Sequence, residues 1–552
     1  MSQPPFLQLP GTRVWQPGLR QWSEQLAGQF PRAGVLLAWL VLWLVWTGLS
    51  TQSPPVDNAE QLSWVRSLEW GYYKHPPLPT VLLWPFVQVL GLTETATYAA
   101  AAAVNLASLL ILHRLLLRLT GARQALLALL ATLCVGYYSL RLAYFNHDTL
   151  LMLAHLAGAW CVWHAFAAHS HSGRRLAWWG LGLALGLGAL AKYQVSLTAG
   201  AAFVFWVLRQ GWRQAEYRRG LAEAAVIALA VVSPHLLWLV NHDFQPFDYA
   251  RQNALTGRHT RVQCSVDAMR WVGDQLAQLA GPLLLGLGLQ LDRLRRGVRA
   301  WGPVAMGWRR GGDAAPAGPG EAASGPSGVG ALLFCFGLLP LLWMPLMAVM
   351  LNARMHMNWG TAFMPLTCAA LIHFSGAWRW QRVRLAHALA GFVLVQAVLA
   401  AWAWQQHRLP RPVFSQHRSS QFDSQRVADA IGPQARAAIG GPVRVIAGRQ
   451  RLVSVLALRL PERPLVLVDG RPELSPWLPE DLSALCAVLW VGDAGDRPPA
   501  AVQAQAVPGG QGLWWGVEVL SERVDRCPAA ALAVQRRAPP AADPLADSLG
   551  GL

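Results

Sequence analysis

The sequence predicts a mainly α, polytopic membrane protein of about eleven transmembrane helices that ends in a small α/β domain. Three observations point there. Of 552 residues, 54% are hydrophobic and only 14% charged, where a soluble domain carries roughly 25% charged residues. Apolar runs long enough to cross a hydrocarbon core of roughly 30 Å recur along the first four hundred residues. After Trp404 the pattern changes, and short apolar runs alternate with helix-like stretches and Pro/Gly turns.

The apolar runs lie near 33–50, 97–117, 124–140, 148–168, 175–191, 194–208, 221–240, 275–291, 330–351, 358–376 and 385–404. The first follows a polar segment, residues 1–32, and no small-residue cleavage pattern comes after it. It therefore reads as a retained helix rather than a signal peptide. Leu78 to Leu92 is apolar but short and broken by proline, which suggests a re-entrant or interfacial piece. Residues 311–330 are rich in Gly, Ala, Pro and Ser without periodicity, as in a flexible linker. Val443–Ala447, Leu465–Val468 and Ala487–Val491 are candidate strands of an α/β domain over 405–527, and residues 528–552 read as a disordered tail.

The net charge of +17 does not imply a nucleic-acid partner, because Arg accumulates in the cytoplasmic loops of membrane proteins. Alternate loops hold 21 and 9 basic residues, and the richer set includes the N-terminal segment. By that count the N-terminus is cytoplasmic, and residues 51–96 and the C-terminal domain lie outside. The seven cysteines include no CxxC pair, so neither a zinc site nor a disulfide framework is indicated. Cys486 and Cys527, in the polar C-terminal part, are the two placed to pair.

With that topology, chemistry-bearing residues from separate loops fall on one side. Val56–Leu78 brings Asp57, Glu60, Tyr73, Lys74 and His75; later loops bring Asn146–His147–Asp148, Lys192, Asn241–His242–Asp243 and Arg354–Met355–His356. Each has a structural alternative. Asp57-x-x-Glu60 also fits a capping box, Asp148 a helix cap, His242–Asp243 a solvated turn, and Lys192 a side chain snorkelling to the interface. The lysines stand out: among 46 basic residues, only Lys74 and Lys192 are not Arg, and both sit on this side. A lysine offers a compact point charge suited to phosphate.

Asp57-x-x-Glu60 after the first span, the block Gly71–Tyr72–Tyr73–Lys74–His75–Pro76–Pro77–Leu78, Asn146–His147–Asp148, Ala191–Lys192–Tyr193 and Arg354–Met355–His356 together resemble the GT-C membrane glycosyltransferases. These take a sugar from a polyprenyl-phosphate carrier, and the likeness is to the protein O-mannosyltransferase-like and aminoarabinose-transferase-like groups. It covers roughly residues 30 to 400. Two departures are visible. Asn58 stands where many relatives carry a second adjacent acid, and Lys74–His75 stand where the aminoarabinose group tends to carry Glu-Lys.

The resemblance implies inverting transfer of a sugar from a polyprenyl-phosphate donor to a hydroxyl or phosphate of a lipid, glycan or protein, at the outer face of a bacterial inner membrane. Asp57 would be the base, with Glu60 as the second carboxylate. Lys74, His75, Lys192, Arg354 and His356 would meet the phosphate, and Asp148, Tyr73 and Asn146 would orient substrate. A divalent metal is possible and no other cofactor is implied. The competing class is a transporter or flippase of a lipid-linked envelope precursor, because charges at a membrane edge also mark substrate pathways. That class favours mid-span charges and internal symmetry, and the sequence shows neither.

Overall fold

The computed structural model describes residues 30–253, 260–286, 326–375, 385–407, 420–479, 487–510 and 512–520. The tail from 528, Cys486 with Cys527, and most of the N-terminal segment and of the 311–330 linker lie outside them. Helix α1 spans Phe30–Ser50, and the loop after it carries α2 (Val56–Trp64) and α3 (Leu78–Leu90). There follow α4 (Glu94–Thr120), α5 (Ala122–Leu133), α6 (Gly136–Leu140), α7 (His147–Ala167), α8 (His171–Ala191), α9 (Val195–Leu208), α10 (Ala215–Asn241), α11 (Gln245–Asn253) and α12 (Arg261–Gln278). The helical part closes with α13 (Pro326–Leu333), α14 (Leu339–Met350), α15 (Met364–Phe374) and α16 (Leu385–His407).

Among the described residues, five helices are long and apolar enough to cross a membrane: Glu94–Thr120, His147–Ala167, Ala215–Asn241, Gly328–Met350 and Ala388–Gln405. Gly34–Ser50, Leu78–Leu90, Gln124–Leu133 and Val195–Leu208 are apolar but shorter. Two apolar runs are not continuous α-helices. The run at 124–140 breaks into α5 and α6, and the carbonyl of Leu133 that the break frees accepts from Gln396 Nε2 (2.8 Å) and Ser139 Oγ (3.0 Å). The run at 358–376 opens as a 3₁₀ segment, Met357–Phe363, before α15.

Helices α8 and α10 pack closely because small residues face the seam: a Cβ on Gly182 would lie 2.5 Å from the Ala224 carbonyl oxygen, and one on Gly186 2.7 Å from Val231 Cβ. Without a hydrophobic drive between helices in lipid, such close approach supplies the contact energy. Between α13 and α14 lies a π-helical turn, Phe334–Leu338. Pro340 has no N–H to offer the Phe336 carbonyl, which instead accepts from the wholly buried His155 (Nε2, 2.9 Å).

The C-terminal α/β domain has α17 (Ser424–Ile439), β1 (Val445–Gly448), α18 (Gln450–Ala457), β2 (Leu465–Val468), β3 (Ala487–Asp493), β4 (Gln505–Ala506) and β5 (Leu513–Val519). The sheet order is β2-β1-β3-β5-β4, with β2, β1 and β3 parallel and β5 antiparallel to β3 and β4. The all-apolar, fully buried Leu465–Val468 is what a parallel strand covered on both faces requires.

This domain shares its core with the loop after α1. Trp64 and Tyr72, both buried, belong to the same apolar cluster as Ile431, Leu452, Leu456 and Val468, while Val455 and Leu458 pack with Val56, Ala59 and Leu62 of α2. Helix α18 therefore lies along α2, and the seam is pinned by Ser63–Ser454 (3.2 Å), Arg459–Glu94 (2.7 Å) and Arg463–Leu92 O (3.0 Å).

Candidate active site

Pro55 occupies the N-cap of α2 and gives no side-chain cap, so the capping-box reading of Asp57-x-x-Glu60 does not hold. Asp57 sits in the first turn with its carboxylate turned to another loop. Asn58 fixes that orientation: fully buried, it donates to Thr97 Oγ1 and the Ala143 carbonyl (both 2.8 Å) and accepts from Phe145 N (2.9 Å). The amide that replaces a second acid is thus a bracket between α2, α4 and the loop before α7.

The bracket sets Asp57 opposite Asn146. Asn146 caps α7, its Oδ1 accepting from the N–H groups of Asp148 (3.1 Å) and Thr149 (3.2 Å), and its Nδ2 donates to Asp57 Oδ2 (2.8 Å). Asn146, not Asp148, is therefore the cap. Asp148 is left to accept from Lys192 Nζ at 2.6 Å, and Lys192, at the C-cap of α8, is paired inward rather than snorkelling.

Lys74 reaches the same space from a tight turn. Tyr72 and His75 exchange backbone hydrogen bonds (3.0 and 3.2 Å), Tyr72 stacks on Trp64 with centroids 4.7 Å apart, and Gly71 lies so close to Trp238 that a Cβ would fall 2.3 Å from the ring. Lys74 Nζ consequently meets Glu60 Oε2 at 2.7 Å, both side chains being buried. His75 lies against His147, ring centroids 4.0 Å apart, and the Nε2 of His147 is buried without a partner.

These side chains line a cavity of about 50 Å³ formed by Asp57, Glu60, Gln61, Lys74, His75, Asn146, His147, Asp148 and Lys192. Seven of the ten residues singled out in the sequence meet here. Tyr73 does not line it and donates to Gln450 Oε1 at 2.6 Å. Arg354 and His356 are not part of it. Arg354 is half-exposed and pairs with Asp267 (3.5 Å), while the His356 carbonyl accepts from Trp271 (3.1 Å) and its ring lies against Trp359. His242 hydrogen-bonds the Trp238 carbonyl of its own helix (2.9 Å).

The sequence reading missed Arg451. It comes from the C-terminal domain, places Nε 3.9 Å from Glu60 Oε1 and bonds the Tyr249 side chain. Among the described residues, no group of three or more His, Cys, Asp or Glu side chains is arranged to hold a metal ion.

The electrostatics follow from burial among opposite charges. Burial pushes Asp57 up, but Lys74, the Asn146 hydrogen bond and Arg451 outweigh it and hold the carboxyl below its ordinary value. Burial disfavours the charge on Lys74, and Glu60, Tyr249 and Asp57 together more than restore it. His75 is driven well below its ordinary value by burial first, then by His147 and Lys74. It is a neutral imidazole at pH 7.

His75 and Asp57 act on stability with the same sign. Below about pH 6.5 the unfolded chain takes up a proton at His75 that the folded chain refuses. The stabilisation from Asp57 is present above its ordinary value of 3.8 and is lost as the pH falls through its lower folded value. The thermal midpoint of the solubilised protein should therefore fall between pH 7 and 5, and His75→Gln should reduce the slope. An unchanged slope would remove His75 as its source.

The comparisons with known proteins agree with this architecture. The family model described as dolichyl-phosphate-mannose-protein mannosyltransferase matches residues 74–238, the stretch that carries Lys74, His75, Asn146, Asp148 and Lys192. The lipopolysaccharide core galacturonosyltransferase RgtA of Rhizobium johnstonii is 28% identical over 226 residues, 39% of this chain and 43% of RgtA. The chain thus aligns with less than half the length of that relative. The crystal structure of ArnT from Cupriavidus metallidurans bound to undecaprenyl phosphate superposes over 89% of this chain and 99% of its own, with a TM-score of 0.51 at 15% identity.

The chain has the GT-C glycosyltransferase fold. The sequence resemblance, drawn over residues 30 to 400, is borne out at that level, and the superposition on ArnT covers 89% of the chain. The apo ArnT structure gives the same coverage with a TM-score of 0.49 and 14% identity.

Proposed function

We propose that this GT-C protein transfers a sugar from a polyprenyl-phosphate carrier to an acceptor hydroxyl, by inversion, at the extracytoplasmic face of a bacterial inner membrane. The observation that carries the reading is the cavity itself. One ionised carboxylate, Asp57, is held by an amide within reach of two lysines, and all of it lies at the end of the bundle where the C-terminal domain docks.

A sugar on a lipid phosphate already has a good leaving group. The enzyme needs a base for the acceptor proton and cations where phosphate charge develops. Asp57 is the base. Its lowered value keeps it ionised, and Asn146 fixes the face it presents. Lys74 and Lys192 meet the phosphate. Each ammonium has three donors and each gives one to a carboxylate, Glu60 or Asp148, so both keep donors for an incoming oxyanion. Glu60 and Asp148 hold the lysines in place before the ligand arrives. His75, neutral beside His147, adds a hydrogen-bonding edge without adding charge, and Tyr73 orients the substrate.

The undecaprenyl phosphate in the ArnT crystal supports this carrier class, and the lipopolysaccharide-core relative favours an envelope glycolipid as acceptor. Mass spectrometry of envelope glycolipids from cells with and without the protein tests the reading: one sugar should be missing from a glycolipid in its absence. Unaltered glycans, with a lipid-linked precursor stalled on the inner leaflet, would instead establish the flippase.

A further inference from the structure

Glu60 is held from two sides that belong to different parts of the fold. Lys74 comes from the loop after α1 and takes Oε2; Arg451 comes from the C-terminal domain and faces Oε1. The position of Arg451 is not incidental. Residues 450, 451, 454, 455 and 458 fall on one face of α18 and the turn after it, at helical spacing, and that face is the seam with α2. Gln450 accepts from Tyr73, Ser454 meets Ser63, and Val455 and Leu458 pack on Val56, Ala59 and Leu62. With Arg451 in that row, packing of the domain fixes where the guanidinium sits.

The 3.9 Å separation from Glu60 is an ion pair too long for a hydrogen bond. A guanidinium carries five N–H donors in a planar fork that matches phosphate. Its side chain is 35% exposed, and it approaches the site from behind Glu60, one of the residues that line the cavity. Arg451 also acts electrostatically on Asp57, Lys74 and His75, which places its charge within the field of the whole site.

We propose that the C-terminal α/β domain completes the anion site. Arg451, across Glu60 from Lys74, binds the phosphate of the lipid carrier together with that lysine, so that donor binding depends on the docked domain. This rests on the carrier proposed above and extends the site to a residue of the soluble domain. In the unliganded protein Glu60 keeps the two cations near each other; the phosphate then joins them as a second anion, and no bond of the lysine pair has to break first.

The test is binding, which does not require turnover. The full-length protein in nanodiscs is titrated with undecaprenyl phosphate and, separately, with the neutral undecaprenol, for the wild type, Arg451→Ala and Arg451→Lys. The thermal midpoint of each is recorded. Arg451→Ala should weaken undecaprenyl phosphate by about tenfold or more and leave undecaprenol unchanged, and Arg451→Lys should recover part of the loss. Wild-type discrimination between the two lipids that persists undiminished in Arg451→Ala overturns this inference alone. Equal loss of both lipids with a fallen thermal midpoint shows a structural role and also overturns it. A wild type that does not discriminate the two lipids overturns the carrier assignment and this inference with it.

Discussion

Asp57→Asn is expected to lower transfer by about 10²–10⁴-fold, the range for losing a positioned general base, while donor binding persists. The asymmetry follows from what surrounds the side chain. Asn is isosteric with Asp, and its carbonyl oxygen can still accept from Asn146 Nδ2, so the α2–α7 contact that Asp57 now makes at 2.8 Å survives. Lys74 keeps Glu60 and Lys192 keeps Asp148, so the cations assigned to the phosphate stay in place. They even lose a nearby negative charge, which favours an incoming oxyanion. Single-turnover transfer from a radiolabelled lipid-linked sugar in proteoliposomes, measured beside lipid binding, separates the two effects. Undiminished transfer by the variant would remove Asp57 as the base. Loss of binding in parallel with transfer would make it a binding residue instead.

The sequence showed which residues share an end of the bundle, and not how they pair. Loops on one side of a membrane are known from charge bias, and this was enough to gather Asp57, Glu60, Lys74, His75, Asn146, Asp148 and Lys192. Lateral position is set by helix packing instead. Arg354 and His356 were assigned to the same side, yet Arg354 lies against Asp267 of α12, away from the cavity. The capping-box pattern misled for a local reason, since Pro55 precedes Asp57 and takes the cap position.

The pairing of Lys192 with Asp148 joins residues 44 apart, and no local period encodes such a contact. Arg451 was invisible for a different reason. It is one arginine among many in a polar stretch, and only the merging of Trp64 and Tyr72 with the core of the α/β domain brings its helix to the site. The apolar face of α18 was the one signal available, and it does not say which partner the face covers.

Lys74→Met should be the most damaging single change to stability among the site residues. It leaves the Glu60 carboxylate, whose side chain is 4% exposed, with Arg451 as its remaining cation at 3.9 Å. Removing one member of a buried pair typically costs about 3–5 kcal/mol, because the other charge stays desolvated without compensation. Replacing both members with apolar residues of similar volume is often close to neutral. The double variant Lys74→Met/Glu60→Leu should therefore regain much of the thermal midpoint lost in Lys74→Met, while transfer stays lost because the phosphate cation is gone. Thermal unfolding in detergent and transfer in proteoliposomes are the two measurements. A single variant as stable as wild type would show that the pair is not holding this loop. A double variant that transfers sugar at the wild-type rate would remove Lys74 from the phosphate site and leave it a structural role only. The two readouts are independent here because Lys74 serves both purposes through different donors: one holds Glu60 in the folded protein, and the others wait for the ligand.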